Sequence, residues 1–263
     1  MRLNEINFSF GGKHCLTDFG CIYVEKSGHT VSPDATANTY EISGLSGTVR
    51  MDGTVYDTIE FSGNLFFVKD PATQAEAQER IRAISKWLNG GRQRLVFDYE
   101  PNRYYLAEVT TAGKWSYSDW FEGGLSVQFT AQPFAYNADV NAVTATLSGD
   151  AAELALVADT GENAPLVFSI ENTGTAALTA FTASCGGKRV VMEGMNLAAG
   201  ASMVISMEPP IGAEDGDGNS MMQYATQFDY MTAADGANAV TCQATFDGAG
   251  TATVTVSARG RYI

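Results

Sequence analysis

The sequence predicts a mainly β protein of two β-rich domains: a β-sandwich or split-barrel-like domain with one packed α-helix at about 73–89, then a second β-sandwich. Three observations predict it. Apolar and polar residues alternate along residues 125–132, and again along 241–246 and 251–256. A period of two puts one row of side chains on a core and the other on solvent. A single segment carries a helical period instead. After Asn137 the composition shifts toward Ala, Thr and Gly, and Lys and Arg become scarce.

The helix is marked along its length. Ala77, Ile81, Ile84 and Leu88 fall at i, i+4, i+7 and i+11, one face of a 3.6-residue period, and Trp87 widens the stripe. Asp70-Pro71 ends the preceding strand, Thr73 and Glu76 form a capping box, and Gly90-Gly91 supply the stop. Asp52-Gly53, between residues 48–51 and 54–56, predicts a tight hairpin, because both central positions of such a turn need tolerance of positive φ.

At 263 residues and 45% hydrophobic content, the chain is long for one sandwich and suits two domains of roughly 130 residues each. The boundary is expected at Gln132-Pro133-Phe134-Ala135-Tyr136-Asn137, giving domains 1–137 and 138–263. Beyond it, short strands separated by Asn, Gly and Asp turns suggest a sandwich without helices.

The net charge is −14, from 30 acidic and 16 basic side chains. Such a balance argues against sequence-specific nucleic-acid binding and against an anionic membrane surface. No apolar run approaches the roughly 18 residues of a membrane helix. Met1-Arg2-Leu3-Asn4-Glu5 has no apolar core, so export by the general secretion route is not expected. Cys15, Cys21, Cys185 and Cys242 form no C-x-x-C pair, and with only His14 and His29 they are too few for a zinc site. They read as reduced, partly buried thiols of a protein made in the cytoplasm, with a Cys15–Cys21 disulfide left open.

Asp215, Asp217 and Asn219 stand at positions 1, 3 and 5 of a calcium-loop spacing, but Ser220 replaces the expected sixth-position Gly and Thr226 the expected twelfth-position Glu. The plainer reading is an acidic, Gly-rich surface loop. Trp115, Tyr117, Trp120 and Phe121 could stack on sugar rings, or pack across a hairpin. Asp98 and Glu100 resemble a carboxylate pair and read more simply as solvated charges at a strand end before Pro101. His14 and His29 lack a G-x-S-x-G partner, and Gly11-Gly12-Lys13-His14 lacks the P-loop spacing. No catalytic residue, cofactor or metal is therefore assigned, and no enzyme is expected.

One succession of motifs resembles a known family. Residues 46–53 come first, then a helix ending Lys86-Trp87-Leu88. Arg94-Leu95-Val96-Phe97-Asp98-Tyr99-Glu100-Pro101-Asn102-Arg103-Tyr104-Tyr105-Leu106-Ala107 follow. Trp120-Phe121-Glu122-Gly123-Gly124-Leu125-Ser126-Val127-Gln128-Phe129 and the closing Gln132–Tyr136 segment complete the set. In that order they resemble the distal tail (Dit) proteins of siphophages, the phage tail component or Sipho_tail family. Asn163-Ala164-Pro165-Leu166, Gly218-Asn219-Ser220, Tyr224-Ala225-Thr226 and residues 234–240 look like the family's C-terminal sandwich, with Asp235-Gly236 where Pro-Gly is usual.

The resemblance implies a virion structural protein of a phage or prophage, assembled in the host cytoplasm and located at the tail tip. It implies a hexameric ring around a DNA channel, built by the first domain, with a galectin-like second domain projecting outward. The implied partners are tail tube protein, the tape-measure and tail-associated hub proteins, and receptor-binding proteins. An acidic channel would let DNA slide rather than bind it. The alternative is a carbohydrate-binding or adhesin module that recognises host cell-wall glycan.

Overall fold

A computed structural model describes residues 7–25, 32–41, 48–117 and 123–263. The chain divides into two compact units, residues 1–138 with Ile263, and residues 139–262.

The first unit contains β1 (Phe8–Phe10), β2 (Lys13–His14), β3 (Cys21–Glu25), β4 (Ala35–Glu41), β5 (Thr48–Tyr56), β6 (Ile59–Phe67), α1 (Gln74–Leu88), β7 (Gln93–Phe97), β8 (Arg103–Tyr117) and β9 (Gly123–Asn137). Its main sheet runs β2-β1-β7-β8-β9-β6-β3, antiparallel throughout. The alternation read at residues 125–132 places Leu125, Val127, Phe129 and Ala131 in the core. Phe8 and Phe10 of β1, Tyr23 of β3, Phe61 of β6 and Leu95 and Phe97 of β7 join them.

Helix α1 lays Ala77, Ile84, Trp87 and Leu88 inward, while Ile81 is only half-buried. Thr73 caps it, its side chain accepting from Glu76 N–H at 3.2 Å. The Glu76 carboxylate reaches one residue beyond the expected reciprocal partner and accepts from Ala72 N–H at 2.8 Å. Those bonds satisfy amides that a helix start leaves unpaired.

One sequence expectation changes here. Asp52-Gly53 forms no hairpin turn: β5 runs straight through it, paired with β4. Across it the register jumps from Ala37↔Thr54 to Thr39↔Arg50, so three residues of β5 oppose Asn38 alone. The partner strand lies upstream, and residues suited to a turn serve equally in a β-bulge. Similarly, Pro133 lies within β9. Three residues of β9 there oppose Leu106, between the pairs Tyr105↔Ala135 and Ala107↔Ala131. A bulge tolerates a residue that cannot donate to the ladder.

The second unit holds β10 (Asn141–Leu147), β11 (Ala152–Ala158), β12 (Ala164–Asn172), β13 (Leu178–Cys185), β14 (Lys188–Leu197), β15 (Ser202–Ser206), β16 (Gly212–Asp215), β17 (Ala225–Phe228), β18 (Thr232–Ala233), β19 (Gly236–Phe246), β20 (Ala252–Ala258) and β21 (Arg261–Tyr262). One sheet runs β10-β20-β12-β15-β16, with β18 also pairing β12; the other runs β11-β19-β13-β14-β17. Their inner faces share one core. Phe168 of the first sheet meets Phe181 of the second edge-on, with ring centroids 6.3 Å apart. This is a β-sandwich.

Within it, buried Asn172 replaces missing ladder bonds. Its amide donates to the carbonyls of Ala176 (2.9 Å) and Leu197 (2.8 Å), and its Oδ1 accepts from Gly174 N–H (3.2 Å).

Candidate functional site

The acidic loop is built around its own carboxylate. Asp215 Oδ1 accepts from the N–H groups of Asp217 (3.0 Å) and Asn219 (2.8 Å), and the Asn219 side-chain amide donates to both Asp215 oxygens, at 3.2 and 3.0 Å. Gly218, at φ +82°, allows the chain to fold back. The Asn219 side chain and then its backbone N–H hold the Asp215 carboxyl below the usual carboxylate range. Of the three residues in calcium spacing, Asn219 closes on Asp215, whose carboxylate serves as the acceptor of a turn.

Asp98 and Glu100 stand in the turn after β7 rather than in a strand. They have different partners. Asp98 meets His14 Nε2 at 3.0 and 3.2 Å, and Glu100 accepts from Arg103 at 2.9 Å. His14 Nδ1 faces the N–H groups of Leu16 (3.2 Å) and Thr17 (3.3 Å). An Nδ1 that accepts from backbone leaves Nε2–H to donate to Asp98. With both nitrogens engaged, the imidazole clips the β2 turn to the end of β7.

Trp115 and Tyr117 lie two positions apart on β8, opposite Leu125 and Gly123. Trp120, Phe121 and His29 fall outside the described residues. All four cysteines are free and buried. Desolvation pushes Cys15 up to about 11 and Cys21 and Cys242 up to about 12, far from thiolate chemistry at neutral pH. Among the described residues, no three His, Cys, Asp or Glu side chains gather as a metal site.

Two features escaped the sequence reading. The second unit has a cleft of about 560 Å³ bordered by Asn196, Ser202, Asp217, Ser220, Gln223 and Tyr224. Its walls are residues 196–202 and 215–224, so the acidic loop borders it, although the spacing of that loop signalled no cleft. In the first unit, β4 and β5 form a sheet of their own, paired only with each other among the described residues. Such a two-stranded ribbon is marginal by itself in water, and its outer edges offer unpaired backbone groups.

Together, the bulged antiparallel sheet with one capped helix and the sandwich that follows define a two-unit β-rich fold. That fold is shared with phage tail proteins. The crystal structure of the Dit protein (gp 19.1) of phage SPP1, described as a paradigm of hub adsorption apparatus in phages infecting Gram-positive bacteria, superposes with a TM-score of 0.64 at 14% identity, covering 98% of this chain and 99% of that one. A chain of the phage P2 baseplate in its activated, calcium-containing conformation gives 0.50 at 9% identity, covering 97% and 98%. No family model and no curated protein sequence matches the chain.

Proposed function

We propose that this chain is a non-enzymatic structural subunit of a phage tail tip, a Dit-like protein whose copies close into a ring joining tail tube to adsorption apparatus. The observation that carries the reading is the shared fold with SPP1 Dit, which runs through both units and nearly the full length of both chains. The β4–β5 ribbon supports it, since unpaired edges invite a neighbouring chain and a head-to-tail contact that closes makes a ring. In this reading the first unit, residues 1–138, builds the ring around a DNA channel and the second projects outward.

Charge refines the proposal. Residues 139–262 hold 14 of the 30 acidic side chains but only four of the 16 basic ones, a balance of −10 within the chain's −14. The remaining −4 belongs to the unit assigned to the ring. The acidic surplus is therefore chiefly a property of the projecting unit, where it keeps an exposed module soluble and away from polyanions.

Light scattering and negative-stain images of the purified chain, alone and mixed with the tube and hub proteins encoded beside it, test the reading. Six-fold rings are expected. A chain that stays monomeric at high concentration and with both partners overturns it.

A second reading, a glycan-binding module, is favoured by the cleft, whose amides, hydroxyls and Tyr224 ring suit a neutral saccharide. Titration with cell-wall polysaccharide, with Tyr224→Ala and Trp115→Ala as controls, separates the two.

A further inference from the structure

We infer that Cys15 and Cys21 are a disulfide-competent pair, closing under oxidising conditions to lock the turn between β2 and β3. The backbone already holds them together, because Cys21 N–H donates to the Cys15 carbonyl at 2.9 Å. A carbonyl oxygen and an amide nitrogen lie about 2.4 and 1.5 Å from their own Cα atoms, so this bond keeps the two Cα atoms within about 6.8 Å, the reach that disulfides span. Both side chains are fully buried in the same core cluster.

Neither sulfur is held strongly. Cys15 Sγ accepts from Phe8 N–H at 3.4 Å, and Cys21 Sγ donates to the Phe19 carbonyl at 3.5 Å. Thiols are weak partners in such bonds, so rotation about χ1 gives up little.

The other two thiols supply a contrast. In the β13–β19 register, Ala183 faces Cys242 and Cys185 faces Val240. Cys185 and Cys242 are therefore diagonal neighbours, with Cα atoms about 7–8 Å apart, beyond the disulfide span. Proximity along the sheet brings them near each other without making them bondable, so closure is selective for Cys15 and Cys21.

With glutathione disulfide as oxidant, the step balances. One cysteine thiolate attacks a glutathione sulfur, the glutathione S–S bond breaks, and one glutathione thiolate leaves. The second cysteine thiolate then attacks the mixed disulfide and releases the other glutathione. The protein loses two protons and two electrons, and both electrons reside on glutathione. Burial keeps both thiols protonated in the folded chain, so exchange runs through the opened turn or the unfolded chain. The pair is reduced where glutathione is kept reduced and closes outside such a compartment. The inference does not depend on the ring.

The full chain, unfolded and refolded in mixed reduced and oxidised glutathione, then alkylated and mapped by mass spectrometry, provides the test. The expected product carries alkyl groups on Cys185 and Cys242 only, and the peptide spanning residues 15–21 is unalkylated and lighter by two hydrogens. Its Tm lies several degrees above that of the reduced protein, whereas Cys21→Ser melts alike in both buffers. Four alkylated thiols after oxidising refolding, a bond engaging Cys185 or Cys242, or a lower Tm on closure overturns it. Should Cys21→Ser fail to fold, the wild-type peptide map decides alone.

Discussion

The indole Nε1–H of Trp87 donates to the carbonyl oxygen of Phe10 at 2.8 Å, across 77 positions of sequence. It fastens α1 to β1. The same ring stacks on Phe19 (4.3 Å, 16°) and on Phe8 (5.6 Å, 12°). Phe8 in turn meets Tyr23 and Phe129 edge-on at 5.2 and 5.1 Å. One side chain therefore links the helix, the β2–β3 turn and the centre of the main sheet.

Trp87→Phe keeps most of the apolar area and removes the donor from a buried carbonyl. Unfolding in urea should show a loss of about 1–3 kcal/mol. Trp87→Ala also opens a cavity and should cost roughly 3–5 kcal/mol. A Trp87→Phe variant as stable as the parent would mean that the hydrogen bond contributes nothing.

Gly63 lies where β6 passes beneath the Tyr23 ring, and a Cβ there would stand 2.3 Å from ring carbons. Gly63→Ala should destabilise by about 1–3 kcal/mol through overpacking. Tyr23→Leu in the same chain should recover part of the loss. Among the described residues the buried Tyr23 hydroxyl has no hydrogen-bond partner, so Tyr23→Phe should be neutral or stabilising. Denaturant midpoints of the three variants and the parent give the comparison, and a strongly destabilised Tyr23→Phe contradicts this account.

Asn172→Leu removes three hydrogen bonds and strands the buried carbonyl of Leu197 and the half-buried one of Ala176. The expected loss is about 1–3 kcal/mol, confined to unfolding of residues 139–262. Hydrogen exchange that opens the first unit equally would show that the effect is not local.

For Asp215, the folded carboxyl is held below its unfolded value by Asn219. Its contribution to stability is thus present above the ordinary carboxylate range and is lost as pH falls through the lowered folded value. Asn219→Ala should move the Asp215 titration, followed by carboxyl-carbon NMR, back toward higher pH. An unchanged titration would assign the shift to backbone donors alone.

The sequence by itself determined the local elements. Thr73 and Glu76 announced the start of α1, the 3.6-residue stripe its inward face, and strict alternation the buried rows of β9, β19 and β20. Those signals repeat within a few residues, so neighbours along the chain carry them. Other features lay beyond it. Asp52-Gly53 suited a turn and a bulge equally, and only the strand that β4 presents decided between them. Asp215 stood in the sequence as an acidic-loop residue, and the fold sets its carboxylate against the amides of Asp217 and Asn219. Asp98 and Glu100 read as solvated charges at a strand end, and the fold gives His14 to one and Arg103 to the other. Trp87 was legible as one more apolar helix position, while its place between Phe8, Phe10 and Phe19 was not. Tertiary structure decided the bulge at Asp52-Gly53, the partner of Asp98 and the place of Trp87 because each depends on which distant segments meet. That choice belongs to burial and hydrogen-bond satisfaction over the whole sheet, and no window of residues contains it.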